Sequence, residues 1–213
     1  MAKVKVCGLT RLADARLACE LGASAVGFVF WDSSPRRIDP RVAAEITAAL
    51  PAGALAVGVF VDAPVERMCE IVDRVGLGAV QLHGDETEDL IRGLPADVSL
   101  IKSVPVRTRS DVETALGLPG RLTPLLDVHD PVRRGGTGRT VDWTLAAEVA
   151  SRRPTFLAGG LGPDNVAEAI AAVRPHAVDA SSRLEASPGI KDPAILRAFL
   201  AAAGAANRAH EPI

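Results

Sequence analysis

The chain of 213 residues predicts an α/β fold, a single-domain (β/α)8 TIM barrel. Three observations carry this. Short apolar, β-branched runs recur about every 20 to 33 residues, eight in all. The segments between them show helical periodicity. The runs themselves are almost continuously apolar, as parallel strands buried on both faces are. A doubly wound open sheet would more usually carry six strands. The length suits one core and is too short for two typical domains with linkers.

Taken in order, strands are expected at residues 3–7, 25–30, 55–61, 79–82, 99–103, 122–127, 155–158 and 177–179. Helical spacing is clearest over 12–21, 42–50, 65–75 and 166–173, and over 193–203, where Ile195, Leu196, Phe199 and Leu200 share one face. Asp39-Pro40 and Asp192-Pro193 each offer an N-cap followed by proline at the first helical position. Asp85 with Glu88 makes a capping box, Thr10 is placed to cap the first helix, and Asp142 caps the helix after the sixth strand. Pro124 is tolerated near the start of its strand. Residues 1–204 form the expected catalytic barrel, and 205–213 a frayed tail.

Composition narrows the function. Lys and Arg total 24 against 26 Asp and Glu, a net charge of −2, without the basic excess of a general nucleic-acid binder. Aromatics are 3% with no Tyr, which leaves no stacking platform for bases. No apolar run is long enough to span a membrane, and the first residues lack a signal-peptide core. Cys7, Cys19 and Cys69 form no CxxC pair, which suits a reducing compartment. A cytoplasmic protein acting on a small molecule is expected, with neither nucleic acid nor membrane as partner. Monomer and homodimer both fit this pattern.

In such a barrel the active site lies at the C-terminal ends of the strands. Strand seven ends in Gly159-Gly160 and strand eight in Asp179-Ala180-Ser181-Ser182. Either motif alone reads as a tight turn or a helix cap. Together, at these two strand ends, their backbone N–H groups and hydroxyls point to a phosphate site. Cys7 ends strand one and Asp127 ends strand six, so they flank that site across the mouth. This suits a general base and a general acid acting on neighbouring atoms. A lone strand cysteine is commonly a small buried hydrophobe. Asp127, which follows Pro124-Leu125-Leu126, is costly to bury unless paired or functional. Arg36 can grip a carboxylate through its planar fork. His83 is either a polar wall of the site or a turn residue. Cys19 and Cys69 fall in helices as packing residues. Asp127, His129 and Asp130 match no metal-ligand spacing, so no metal is expected. Residues 135–140 lack the Lys-Ser/Thr of a P-loop and read as a lid.

The segments KVCGLT, AVGFVF with SSPRRI, VGVFV, VQLHGDE, LLD, GGTGRTVDW, LAGGL, and VDASS with SPGIKD run in order from residue 3 to about 192. As a series they resemble the phosphoribosylanthranilate isomerase family of tryptophan biosynthesis. The resemblance implies an Amadori rearrangement of N-(5-phosphoribosyl)anthranilate without a cofactor. It implies Asp127 as the acid that opens the furanose and Cys7 as the base that takes the C2′ proton. It implies Arg36, His83, Gly159, Gly160, Asp179, Ser181 and Ser182 as substrate-binding residues. Asp127 would need a raised pKa, and Cys7 a nearby positive charge such as Arg36. The family usually has Gly where this chain has Arg183, a strained position if φ is positive there. Two alternatives remain at this level. One is a related phosphosugar isomerase, such as that of histidine biosynthesis, which resembles a twofold-repeated barrel with an Asp base where Cys7 stands. The other is a non-catalytic phosphosugar-binding protein, which would be expected to have lost the acid or the base.

Overall fold

The computed structural model describes residues 1–127 and 141–209. Residues 135–140, read above as a lid, lie outside them, as do His129 and Asp130. Eight parallel strands close into a barrel in sequence order. They are β1 (Lys3–Val6), β2 (Ala25–Val29), β3 (Leu55–Phe60), β4 (Ala79–Leu82), β5 (Ser99–Pro105), β6 (Leu122–Asp127), β7 (Phe156–Leu157) and β8 (Ala177–Ala180). The helices α1 (Leu12–Glu20), α2 (Pro40–Ala48), α3 (Val65–Val75), α4 (Glu88–Arg92), α5 (Arg109–Gly117), α6 (Trp143–Ala150) and α7 (Val166–Val173) each follow one strand. After β8 come a 3-10 turn (Ser182–Leu184), an antiparallel pair β9 (Glu185–Ser187) and β10 (Ile190–Lys191), and α8 (Pro193–Ala209).

Alternation along the strands sorts the side chains. Val4, Val6, Val26, Phe28, Val80, Leu82, Leu126 and Val178 are buried in the cluster that includes the helix faces. On α3, Met68, Ile71, Val72 and Val75 recur at helical spacing and form that helix's buried face. Each such side chain contributes about 1.5–3 kcal/mol on burial. A separate cluster of Ala25, Val57, Ala79, Ile101, Leu125 and Ala158 fills the barrel. Nearer the C-terminal mouth, Cys7, Val29 and Val59 pack with Trp31. The barrel closes where β1 meets β8, with Lys5 opposite Asp179.

Asp39 and Asp142 cap α2 and α6 as expected. Asp192 Oδ1 accepts from the N–H groups of Ala194 and Ile195 at the start of α8. Two capping expectations are corrected. Arg11, without a side-chain cap, stands before α1, while Thr10 Oγ1 donates to the Gly189 carbonyl at 2.6 Å. Thr10 thus ties the first βα loop to the turn between β9 and β10. At α4 the cap is Thr87, because the helix begins at Glu88 itself. Asp85 lies two residues too early and donates its N–H to Asp62 Oδ1. The last helix passes residue 204 and continues to Ala209. Ala206 is buried, and Asn207 accepts from the Ala2 N–H and donates to the Ala2 carbonyl, at 2.7 and 2.8 Å.

Candidate active site

The strand ends place most of the expected residues around one mouth. Gly159 and Gly160 both have positive φ, 80° and 64°, a backbone path that only glycine follows without strain. They line a small cavity with Asp127, Asp179, Ser181, Ser182 and Arg183. Six of the expected residues therefore share one surface, and it joins the end of β6 to the ends of β7 and β8. Arg183 sits in the 3-10 turn and is not among the residues with positive φ, so it carries no left-handed strain. Its guanidinium donates to the Gly160 carbonyl at 2.9 Å and to both oxygens of Asp164 at 2.7 and 2.8 Å. It bridges the loops after β7 and β8 at the rim of the cavity.

Asp127 is buried, with His83 Nε2 at 3.6 Å from its Oδ2. His83 Nε2 also lies 3.2 Å from Ser103 Oγ, and its Nδ1 lies 3.1 Å from Gln81 Nε2. An amide nitrogen only donates, so in this arrangement Nδ1 accepts and the ring proton sits on Nε2, on the side of Asp127 and Ser103. His83 thus stands beside Asp127, just past the end of β4.

Cys7 is buried, and its N–H donates to the Ala180 carbonyl at 2.9 Å. Burial pushes its thiol above the usual range; Lys5 and Lys191 pull against this, and Asp179 adds to it. Arg36 is engaged elsewhere. Its Nε and Nη2 donate to both oxygens of Glu185 at 2.8 to 3.1 Å. Lys191 Nζ donates to the same carboxylate at 2.9 Å and to the Ser181 carbonyl at 3.1 Å. Burial works against the Glu185 charge, but Arg36 and Lys191 outweigh it and hold the carboxyl below its ordinary value. The bidentate grip expected of Arg36 is thus made with Glu185. Its Nη1/Nη2 edge lies outside that pair. Arg36 and Ser181 meet over Gly8, where an added Cβ would approach Arg36 Cδ to 2.6 Å and Ser181 Oγ to 2.9 Å.

Asp179 is placed at the cavity, but its carboxylate is held by Lys5, whose Nζ donates to both oxygens at 2.9 Å. Sequence reasoning missed Lys5, Lys191 and Glu185. The signal for Lys5 was its parity: it stands two residues before Cys7 in KVKVC and so faces the same side. Nothing local marked Lys191 and Glu185, which reach the site through the β9–β10 hairpin. No cluster of three or more His, Cys, Asp or Glu suited to a metal occurs among the described residues.

The family model described as N-(5'-phosphoribosyl)anthranilate (PRA) isomerase matches residues 4–202. The N-(5'-phosphoribosyl)anthranilate isomerase of Syntrophus aciditrophicus is 46% identical over 202 residues, 95% of this chain and 87% of that protein. The crystal structure of phosphoribosyl anthranilate isomerase from Thermotoga maritima superposes with a TM-score of 0.89 at 42% identity, covering 96% of this chain and 100% of that one. A phosphoribosyl anthranilate isomerase crystallised with reduced 1-(o-carboxyphenylamino)-1-deoxyribulose 5-phosphate gives 0.86 at 41% identity, with the same coverage.

Proposed function

The chain belongs to the N-(5'-phosphoribosyl)anthranilate isomerase family, and on that premise we propose how its own residues carry the reaction. The protein is an enzyme of tryptophan biosynthesis that converts N-(5-phosphoribosyl)anthranilate to 1-(2-carboxyphenylamino)-1-deoxyribulose 5-phosphate. C2′ is oxidised from alcohol to ketone while C1′ is reduced, so electrons balance within the substrate and the scheme needs no cofactor.

Asp127 is the general acid. It protonates the ring oxygen, the C1′–O bond breaks, and the anilino nitrogen supplies the electron pair of the iminium. Cys7 is the general base. Its thiolate takes the C2′ proton, the C–H electrons move into the C1′–C2′ bond as the iminium C1′=N π pair returns to nitrogen, and the enolamine tautomerises to the ketone. The N–H groups of Gly159, Gly160, Ser181 and Ser182 receive the phosphate. The Nη1/Nη2 edge of Arg36 receives the anthranilate carboxylate while Glu185 fixes the guanidinium plane. His83 and Asp179 bind through their neighbours, His83 beside Asp127 and Asp179 through Lys5. The observation that carries the reading is the cavity shared by Asp127 and the ends of β7 and β8, which sets an acid beside a phosphate-sized recess. Among the described residues no helix is long and apolar enough to cross a membrane.

The test is to mix purified protein with freshly generated N-(5-phosphoribosyl)anthranilate and follow its fluorescence. The signal should vanish far faster than in buffer and leave an isomer of unchanged mass carrying the ketone. Decay at the uncatalysed rate, with folded protein, would overturn the reading.

A further inference from the structure

Two buried lysines lie near Cys7, and neither has a part in the proton transfers described above. Lys5 is fully buried on β1 and precedes Cys7, the residue directly after that strand, by two residues, so both side chains turn to the same side. Its ammonium is held on both oxygens of Asp179 across the seam that closes the barrel. Gly27 on β2 leaves room for the sulfur from the other side: an added Cβ there would stand 2.6 Å from Cys7 Sγ. The thiol thus has bare backbone on the β2 side, and the fixed ammonium belongs to the residue two places before it.

We propose that Lys5 is the positioning residue that makes Cys7 a base, by holding its ammonium against the sulfur, and that Asp179 sets how much of that charge the sulfur feels. The inference rests on Cys7 being the base. A thiol buried in apolar surroundings stays protonated, and only adjacent positive charge makes its thiolate accessible. Burial works against the Lys5 ammonium too, but Asp179 and Cys7 together raise its pKa above the ordinary value, so it stays charged. Asp179 neutralises part of that charge and opposes the thiolate. Lys191, tied to Glu185, adds a smaller pull toward the thiolate. The other titratable groups of this region are Arg36 and Glu185, paired with each other, and His83 and Asp127, near the ends of β4 and β6. The two partners of the β1–β8 pair therefore act on the sulfur with opposite sign.

That opposition is the test. The Cys7 thiol is titrated in the full-length protein by the ultraviolet absorbance of its thiolate, with Cys7→Ser spectra subtracted to remove Cys19 and Cys69. Lys5→Met is expected to move the titration up by about one pH unit or more, and the pH profile of kcat with it. Lys5→Arg should restore most of the shift. Asp179→Asn is expected to move the titration down, because Lys5 then acts on the sulfur alone. Circular dichroism establishes that each variant is folded, and Asp179→Asn with Lys5→Arg carries the test if Lys5→Met is not. An unmoved thiol in folded Lys5→Met, or a shift of the same sign in Lys5→Met and Asp179→Asn, overturns the proposal. Full turnover by Cys7→Ala overturns the base assignment itself, which is a different failure from an unmoved titration.

Discussion

Glu185 holds two cations at once, Arg36 through both carboxylate oxygens and Lys191 at 2.9 Å. Its side chain is 4% exposed. Breaking such a pair from one side leaves buried charge without compensation, which costs about 3–5 kcal/mol. The pH dependence has a definite sign. The folded carboxyl titrates below its ordinary value, so the stability it supplies is complete above the unfolded Glu range, about pH 4.3. It is lost as pH falls through the lower, folded pKa. Glu185→Gln is therefore expected to lower the melting temperature near neutral pH and to narrow the gap to wild type as the buffer is acidified. Thermal melts of both proteins from neutral pH down to about pH 3 check this. A constant gap would place the stabilisation in shape rather than charge. None of this was legible from the residue alone, because an acidic residue two places before SPG reads as a solvated turn.

At the level of elements, the strands were the most legible features. β4 and β6 have the bounds expected from the sequence, and the other strands differ at their ends by one or two residues. Apolar β-branched runs specify buried parallel strands with little ambiguity. Caps were legible where proline fixed the first helical position, and at Asp142 before Trp143. Asp39 and Asp192 cap as read, whereas Asp85 and Thr10 do not. A polar residue before a helix has other possible partners, and Asp62 and the Gly189 carbonyl took these two. The short hairpin β9–β10 was missed because strands of three and two residues leave no periodicity to read. The end of α8 was set too early for a long-range reason: the tail is held at Ala2, just before β1, through Asn207. Asp192→Ala removes the acceptor for two N–H groups at the start of α8. It is expected to lower stability by about 0.5–2 kcal/mol in urea unfolding, with the slope of the transition unchanged.

For the whole molecule, closure of the barrel is what converts scattered strand ends into a site. Cys7 and Asp127 lie far apart in sequence, yet β1 and β6 are separated only by β7 and β8 around the ring. The glycine and serine ends of those two intervening strands line a recess with Asp127. Knowing only that eight strands close in order, the sequence already brings these groups to one mouth. What it does not show is the charge beneath the mouth, since burial of Lys5 and Lys191 depends on partners from β8 and β9. The central claim is that Cys7 and Asp127 divide the proton transfers between them. The most direct measurement is turnover of N-(5-phosphoribosyl)anthranilate by Cys7→Ala and by Asp127→Ala, beside the affinity of each for the reduced product analogue. Turnover should fall by about 10²–10⁴-fold in each variant while affinity stays close to that of the wild type. Turnover near the wild-type rate in either variant would contradict the assignment of that residue.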